Sequence, residues 1–275
     1  MPDRKAPRMP LNILLVGDVV GKPGRRILQE NLPNLIAERE IDFTLVNGEN
    51  AAGGTGLTPQ ATETIFGAGA DVITGGDHIW HFREIIPILA KNERVLRPAN
   101  LSPKAAGTGV TLLDSRAKVP IGVINLLGRI FTRPADDPFR TAEAALEELA
   151  PKTKIILVDF HAEATSEKVA MGWFLDGKVT AVAGTHTHIQ TADERILPQG
   201  TAYITDLGMT GPYQSIIGRR VDRVLQAITT DMPAPFDVAK EDVRLAGVIV
   251  KADAETGKAL SIERLFIKEE DLKAR

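Results

Sequence analysis

The chain has 275 residues, 43% hydrophobic and 25% charged, enough for one large globular domain with a substantial core. A formal net charge of −3 leaves none of the basic excess that holds long nucleic acid. There is no cysteine, so disulfides, thiolate metal sites and a cysteine nucleophile are excluded, and any transition metal must rest on His, Asp, Glu and Asn.

Residues 1–10, MPDRKAPRMP, are positive but lack the apolar stretch of a signal peptide, and are expected to be a frayed tail before a single domain over 11–270. No apolar run approaches the roughly 20 residues of a membrane span, so no membrane association and a cytoplasmic location are expected. Asn12–Val16 reads as a buried strand that ends in Gly17-Asp18, and Arg25–Glu38 as a helix. Phe43–Val46 reads as a second strand, ending in Asn47-Gly48-Glu49-Asn50. Thr58 followed by Pro59 opens a helix to Phe66, since a capping hydroxyl precedes a proline at the first helical position. Val72–Thr74 is a third strand, running into Gly75-Gly76-Asp77-His78, and His81 falls where a helix begins.

Val119–Leu126 is the next strand and Thr141–Leu149 the next helix. Ile155–Val158 then runs into Asp159-Phe160-His161, and Val179–Ala183 into Gly184-Thr185-His186-Thr187-His188. Arg244–Val250 and Ser261–Ile267 read as a hairpin around Ala254-Glu255-Thr256-Gly257. Near-continuous apolar strands alternating with helices indicate a layered α/β fold with its sheet covered on both faces.

Five of these strands end in glycine or in side chains able to hold a metal. In open α/β sheets ligands bind beyond the carboxyl ends of the strands, so all five ends can line one crevice. They offer Asp18, Glu49, Asn50, Asp77, His161, His186 and His188. Carboxylate and imidazole suit hard and borderline ions. The two oxygens of Glu49 could bridge two ions about 3.5–4 Å apart. His186 and His188 are two positions apart, so on an extended segment both rings point the same way. Other motifs fail. Gly17 to Pro23 echoes a phosphate-binding loop but is one residue short and has Pro23 where Ser or Thr should follow Lys22. No G-x-G-x-x-G follows the first strand, and no G-x-S-x-G elbow exists.

The order Gly-Asp, bridging acid, Gly-x-(Asn/Asp)-His, His, Gly-x-His-x-His resembles the calcineurin-like metallophosphoesterases. The fuller strings are closer still to their YmdB-like bacterial phosphodiesterase branch: GDVVGKPGR (17–25), NGENAAGGTGLT (47–58), RPANLSP (97–103), DFHAEATSEK (159–168), AGTHTHIQTAD (183–193) and TAYITDLGMTGPY (201–213). The resemblance covers nearly the whole chain after residue 10. It implies a four-layer αββα sandwich, two divalent or trivalent ions (iron or manganese), and a homo-oligomer. It also implies hydrolysis of small phosphodiesters such as 2′,3′-cyclic or 3′,5′-cyclic AMP. Two such ions are expected to lower the pKa of a bridging water and present it as the attacking hydroxide.

Carried over by position, the resemblance gives one ion Asp18, Glu49, Asn50 and His188, and the other Glu49, Asp77, His161 and His186, with His78 as general acid. Val20 stands where many calcineurin-like enzymes place a histidine, and Asn50 takes its part in this branch. Asp77 departs from the branch, whose pattern has Asn there. The added negative charge should favour a harder or more highly charged ion and weaken the pull on substrate phosphate. Arg129, Arg133 and Tyr213 are candidates for substrate contact, and Trp80 and Trp173 are expected to be core aromatics. Two rival readings stand beside the diesterase: a phosphomonoesterase or protein phosphatase on the same site, and a metal- or nucleotide-binding regulator of low turnover.

Overall fold

The computed structural model describes residues 10–273, so residues 1–9 of the expected tail lie outside the described residues. The chain runs β1 Leu11–Val16, β2 Asp18–Val19, α1 Gly21–Glu38, β3 Phe43–Asn47, α2 Pro59–Gly67, β4 Val72–Thr74, a 3-10 turn Arg83–Ile85, and α3 Ile86–Lys91. It continues through β5 Val110–Asp114, β6 Pro120–Leu127, α4 Pro138–Leu149, β7 Ile155–His161, α5 Thr165–Phe174 and β8 Ala181–Thr185. The last third holds β9 Arg195–Ile196, β10 Ala202–Ile204, β11 Met209–Pro212, α6 Val221–Thr230, β12 Val243–Ala252, β13 Ala259–Lys268 and α7 Glu269–Lys273.

Two sheets result. One has the order β2-β11-β12-β1-β3-β4, with β13 paired to β12; the other runs β5-β6-β7-β8-β10-β9. In the first, β1, β3 and β4 are parallel; in the second, β6, β7, β8 and β10 are parallel. Alternation along the strands builds the layers, because successive side chains point to opposite faces. Ile13 and Leu15 of β1 meet Ile155 and Leu157 of β7 between the sheets. Leu14 and Val16 face Ile27, Leu28 and Leu32 of α1. Ile156 and Val158 face Ala142 and Leu149 of α4 and Met171 of α5. Three apolar layers therefore separate four layers of structure, the αββα sandwich. Sheets covered on both faces explain why their strands read as continuous apolar runs.

The expected elements all form, with shifted ends. Thr58 caps α2 by accepting from the Ala61 N–H at 3.2 Å. Helix α4 begins at Pro138 rather than Thr141, because the Asp137 carboxylate accepts from the N–H groups of Phe139 and Arg140. The hairpin forms as β12 and β13, with β12 also paired to β1 deep in the sheet. Trp80 packs against the α1 layer as expected. Trp173 does not join a core: it is 52% exposed on α5. Among the described residues no helix is long and apolar enough to cross a membrane.

Candidate metal centre

The carboxyl ends of β1, β3, β4, β7 and β8 converge. Asp18 begins β2, held by pairing with Met209 of β11, and is fully buried, as is Glu49 just beyond β3. One ligand atom from each of Glu49, Asp77, His161 and His186 lies within 4.8 Å of the others. His161 Nε2 lies 3.0 Å from Glu49 Oε2 and 3.4 Å from Asp77 Oδ1, and His186 Nδ1 is 3.0 Å from His161 Nε2. Beside this cluster, His188 Nε2 lies 3.7 Å from Asp18 Oδ1 and 3.1 Å from the Asn50 amide. All seven residues singled out in the sequence are thus brought to one place.

Close approach depends on Gly76. A Cβ there would fall 1.5 Å from Glu49 Oε2 and 2.4 Å from the His161 ring. His186 and His188 both take positive φ, 101° and 66°, in a tight turn. Their rings are therefore aimed by a left-handed turn, where the sequence reading took the segment as extended.

Each histidine is anchored by the nitrogen that points away from the centre. The Thr185 hydroxyl donates to Asp159 Oδ1 at 2.7 Å, so it accepts from His161 Nδ1 at 2.9 Å. Asp159 also takes hydrogen bonds from Asn47 and Thr74. His188 Nδ1 donates to the Ile217 carbonyl at 3.0 Å. His186 Nε2 lies 3.2 Å from Glu163 Oε2. The Thr185 hydroxyl and the Ile217 carbonyl thus take the Nδ1 hydrogens of His161 and His188, so that Nε2 of each ring is the nitrogen turned to the centre, while Glu163 stands beside the outer nitrogen of His186.

The electrostatics are those of a cation site. Asp18 Oδ1, Glu49 Oε2 and Asp77 Oδ1 are buried and have no hydrogen-bond partner among the described residues, although Glu49 Oε2 comes close to His161. Burial pushes the Asp18 carboxyl up. Burial also works to raise Glu49, but the facing His161 and His78 hold its carboxyl well below the usual range. Burial opposes charge on His161, and Glu49 nevertheless holds it well above the ordinary imidazole value. Burial, then the neighbouring His161, lowers His186 to about 4. Buried carboxylate oxygens without partners are costly, and a divalent ion among them removes that cost. The donors present therefore fit the metal that the sequence implies.

The remaining candidates are placed differently. His78 is partly exposed at the rim, with Nδ1 2.8 Å from Glu49 Oε1 and Nε2 3.6 Å from Asp77 Oδ2. Its hydrogen bond to Glu49 raises its pKa against the opposing effect of burial. Arg133 reaches the Asp77 carbonyl at 3.5 Å and lies over the Trp80 ring. Arg129 turns to Asp137 at 3.5 Å, its backbone N–H bound by Glu167 at 2.9 Å. Tyr213 donates its hydroxyl to the Met209 carbonyl at 2.9 Å and packs on Phe266 and Arg244. His81 is exposed just before the 3-10 turn, its ring against Phe82. A cleft of about 500 Å³ opens above the centre, lined by Glu49, His78, His186 and His188 on one side. Its far wall includes Arg219, and Glu163 stands at its edge. Both were missed in the sequence because isolated loop residues carry no periodicity.

Comparison with known proteins places this geometry. The profile of the YmdB-like protein family matches residues 14–265. The chain is 46% identical over 262 residues to the 2′,3′-cyclic-nucleotide 2′-phosphodiesterase of Bacillus subtilis, covering 95% of this chain and 99% of that one. Among solved structures, a novel phosphatase from Mycoplasma pneumoniae superposes with a TM-score of 0.88 at 34% identity, covering 97% of this chain and 98% of that one. A hypothetical protein from Thermus thermophilus superposes with a TM-score of 0.87 at 40% identity, covering 94% of this chain and 99% of that one.

Proposed function

The chain belongs to the YmdB-like protein family, and on that premise we propose that it is a two-metal phosphodiesterase acting on small cyclic nucleotides. One observation carries this reading. Buried carboxylate oxygens of Asp18, Glu49 and Asp77 face ring nitrogens of His188 and His161 at 3.7, 3.0 and 3.4 Å, at the floor of an open cleft.

Glu49, Asp77, His161 and His186 would hold one ion, and Asp18, Glu49, Asn50 and His188 the other. When bound, the ions supply Lewis acidity, lowering the pKa of water and neutralising charge on phosphate oxygens. Without them the floor of the cleft is acidic and would repel a phosphodiester. The chain's own parts in the reaction are binding, orientation and proton transfer. Thr185 with Asp159, the Ile217 carbonyl and Glu163 fix the rings of His161, His188 and His186. His78, exposed at the rim beside Glu49 and Asp77, would give a proton to the departing alkoxide.

The name of the Bacillus subtilis relative favours a 2′,3′-cyclic nucleotide over the 3′,5′ ring. The Mycoplasma pneumoniae neighbour, described as a phosphatase, keeps a monoesterase as the second reading. The two are separated with the protein loaded with Mn²⁺ or Fe²⁺. A diesterase hydrolyses bis-p-nitrophenyl phosphate faster than p-nitrophenyl phosphate, and the reverse order would favour the monoesterase.

A further inference from the structure

The cleft above the centre holds about 500 Å³ and joins two unlike surfaces. Sites for small ligands run roughly 300–1,000 Å³, so it can take a whole nucleotide. Its floor is the polar centre. The residues of the segment 216–236 that line its wall are apolar apart from Arg219: Ile217, Ile228 and Phe236 among them are 50%, 68% and 50% exposed. Apolar side chains left in water inside a cleft gain free energy when a ligand covers them.

Two features hold that wall in place. Ile217 has φ +45°, a left-handed conformation that a β-branched residue adopts only under strain, and its carbonyl anchors His188. The wall is thereby tied to a residue of the centre. Arg219 spans the cleft: Nη1 donates to the carbonyls of Phe236 at 2.8 Å and Gly53 at 3.1 Å. Its Nη2 donates to the Gly54 carbonyl and to Thr55 Oγ1. A Cβ on Gly54 would lie 2.6 Å from Arg219 Nη1, so glycine is what admits the guanidinium. Arg219 is therefore a strut between the glycine loop and Phe236, with its Nη donors already engaged.

We propose that Ile217, Ile228 and Phe236 form the base subsite, the heterocycle stacking on Phe236 and packing against the two isoleucines while the phosphodiester lies over the metal centre. This rests on the function proposed above. A flat aromatic face accepts any base and rewards the larger one, so purine nucleotides bind better than pyrimidine nucleotides.

The test is Phe236→Ala in the full chain, loaded with Mn²⁺ and assayed on 2′,3′-cyclic AMP and on glycerol 1,2-cyclic phosphate, which has the reacting ring but no base. The substitution should raise KM for the nucleotide by about tenfold, leave kcat nearly unchanged, and leave glycerol cyclic phosphate untouched. Phe236→Trp should restore the nucleotide KM. Equal losses on both substrates, or no change on the nucleotide, would overturn the subsite. So would a fall in oligomer mass in Phe236→Ala, which would give the patch to a second copy of the chain. If the unsubstituted protein hydrolyses neither substrate, the proposed function fails. Equilibrium binding then still decides the subsite: Phe236→Ala must weaken AMP and spare inorganic phosphate.

Discussion

His78 stands between two carboxylates, Glu49 at 2.8 Å and Asp77 at 3.6 Å, and is exposed enough to reach a leaving group. If His78 is the proposed acid, giving a proton without holding an ion, His78→Ala should lower kcat for bis-p-nitrophenyl phosphate by about 10²–10⁴-fold. Metal content by elemental analysis should not change, and loss of bound metal would remove His78 from the role of acid. Asp77 invites the opposite experiment. Asp77→Asn keeps an oxygen at the same place but removes a negative charge beside the incoming phosphate. KM for the diester should fall by a few-fold at fixed Mn²⁺, and steady-state kinetics that show a rise would contradict the charge argument. The seven ligand candidates were legible because each follows an apolar strand, where a metal-capable side chain has an obvious place to converge. Glu163, Asp159 and Arg219 were not: they act through the histidines or the loops, and their contacts join residues far apart in the chain.

The turn after β8 shows how an element is aimed. Asp206 accepts from the Thr187 N–H at 3.2 Å and hydroxyl at 2.7 Å, and from the Gly208 N–H at 2.8 Å. Its charge is balanced by Lys168 at 2.7 Å, both groups buried. The pair thus grips the residue between the two histidines of the turn, while Asp18 accepts from the His186 N–H at 3.1 Å. Asp206→Asn leaves Lys168 buried without its counter-charge, which costs about 3–5 kcal/mol. Thermal unfolding should show that loss in the metal-free protein, together with weaker metal uptake; an unchanged melting temperature would contradict it. Helix α5 went unread in the sequence for the same reason. Its buried face carries Glu167 and Lys168, two charges that mask the apolar period. Strands β2, β9, β10 and β11 have two to four residues, too few to show alternation. Helix α6 carries Ile228 exposed on the cleft, so its apolar positions belong to the cleft wall as much as to a core.

At the scale of the whole molecule, layering was legible and its depth was not. Ile13-Leu14-Leu15-Val16 and Ile155-Ile156-Leu157-Val158 read alike as buried strands. Nothing local tells that they lie in different sheets, facing each other through Ile13, Leu15, Ile155 and Leu157. The division into two sheets came from the resemblance of the motifs and is realised in the fold. Its consequence is functional: strand ends from both sheets open at one edge, so Asp18, Glu49 and Asp77 from one meet His161, His186 and His188 from the other. A single sheet would have offered only half of the donors.

The most direct measurement is metal content of the purified protein, with turnover of bis-p-nitrophenyl phosphate followed on the same sample. The account predicts about two ions per chain, as in two-metal phosphoesterases, with hydrolysis that is lost on chelation and restored by Mn²⁺ or Fe²⁺. A protein that holds no metal and is not activated by either ion would contradict the two-metal centre.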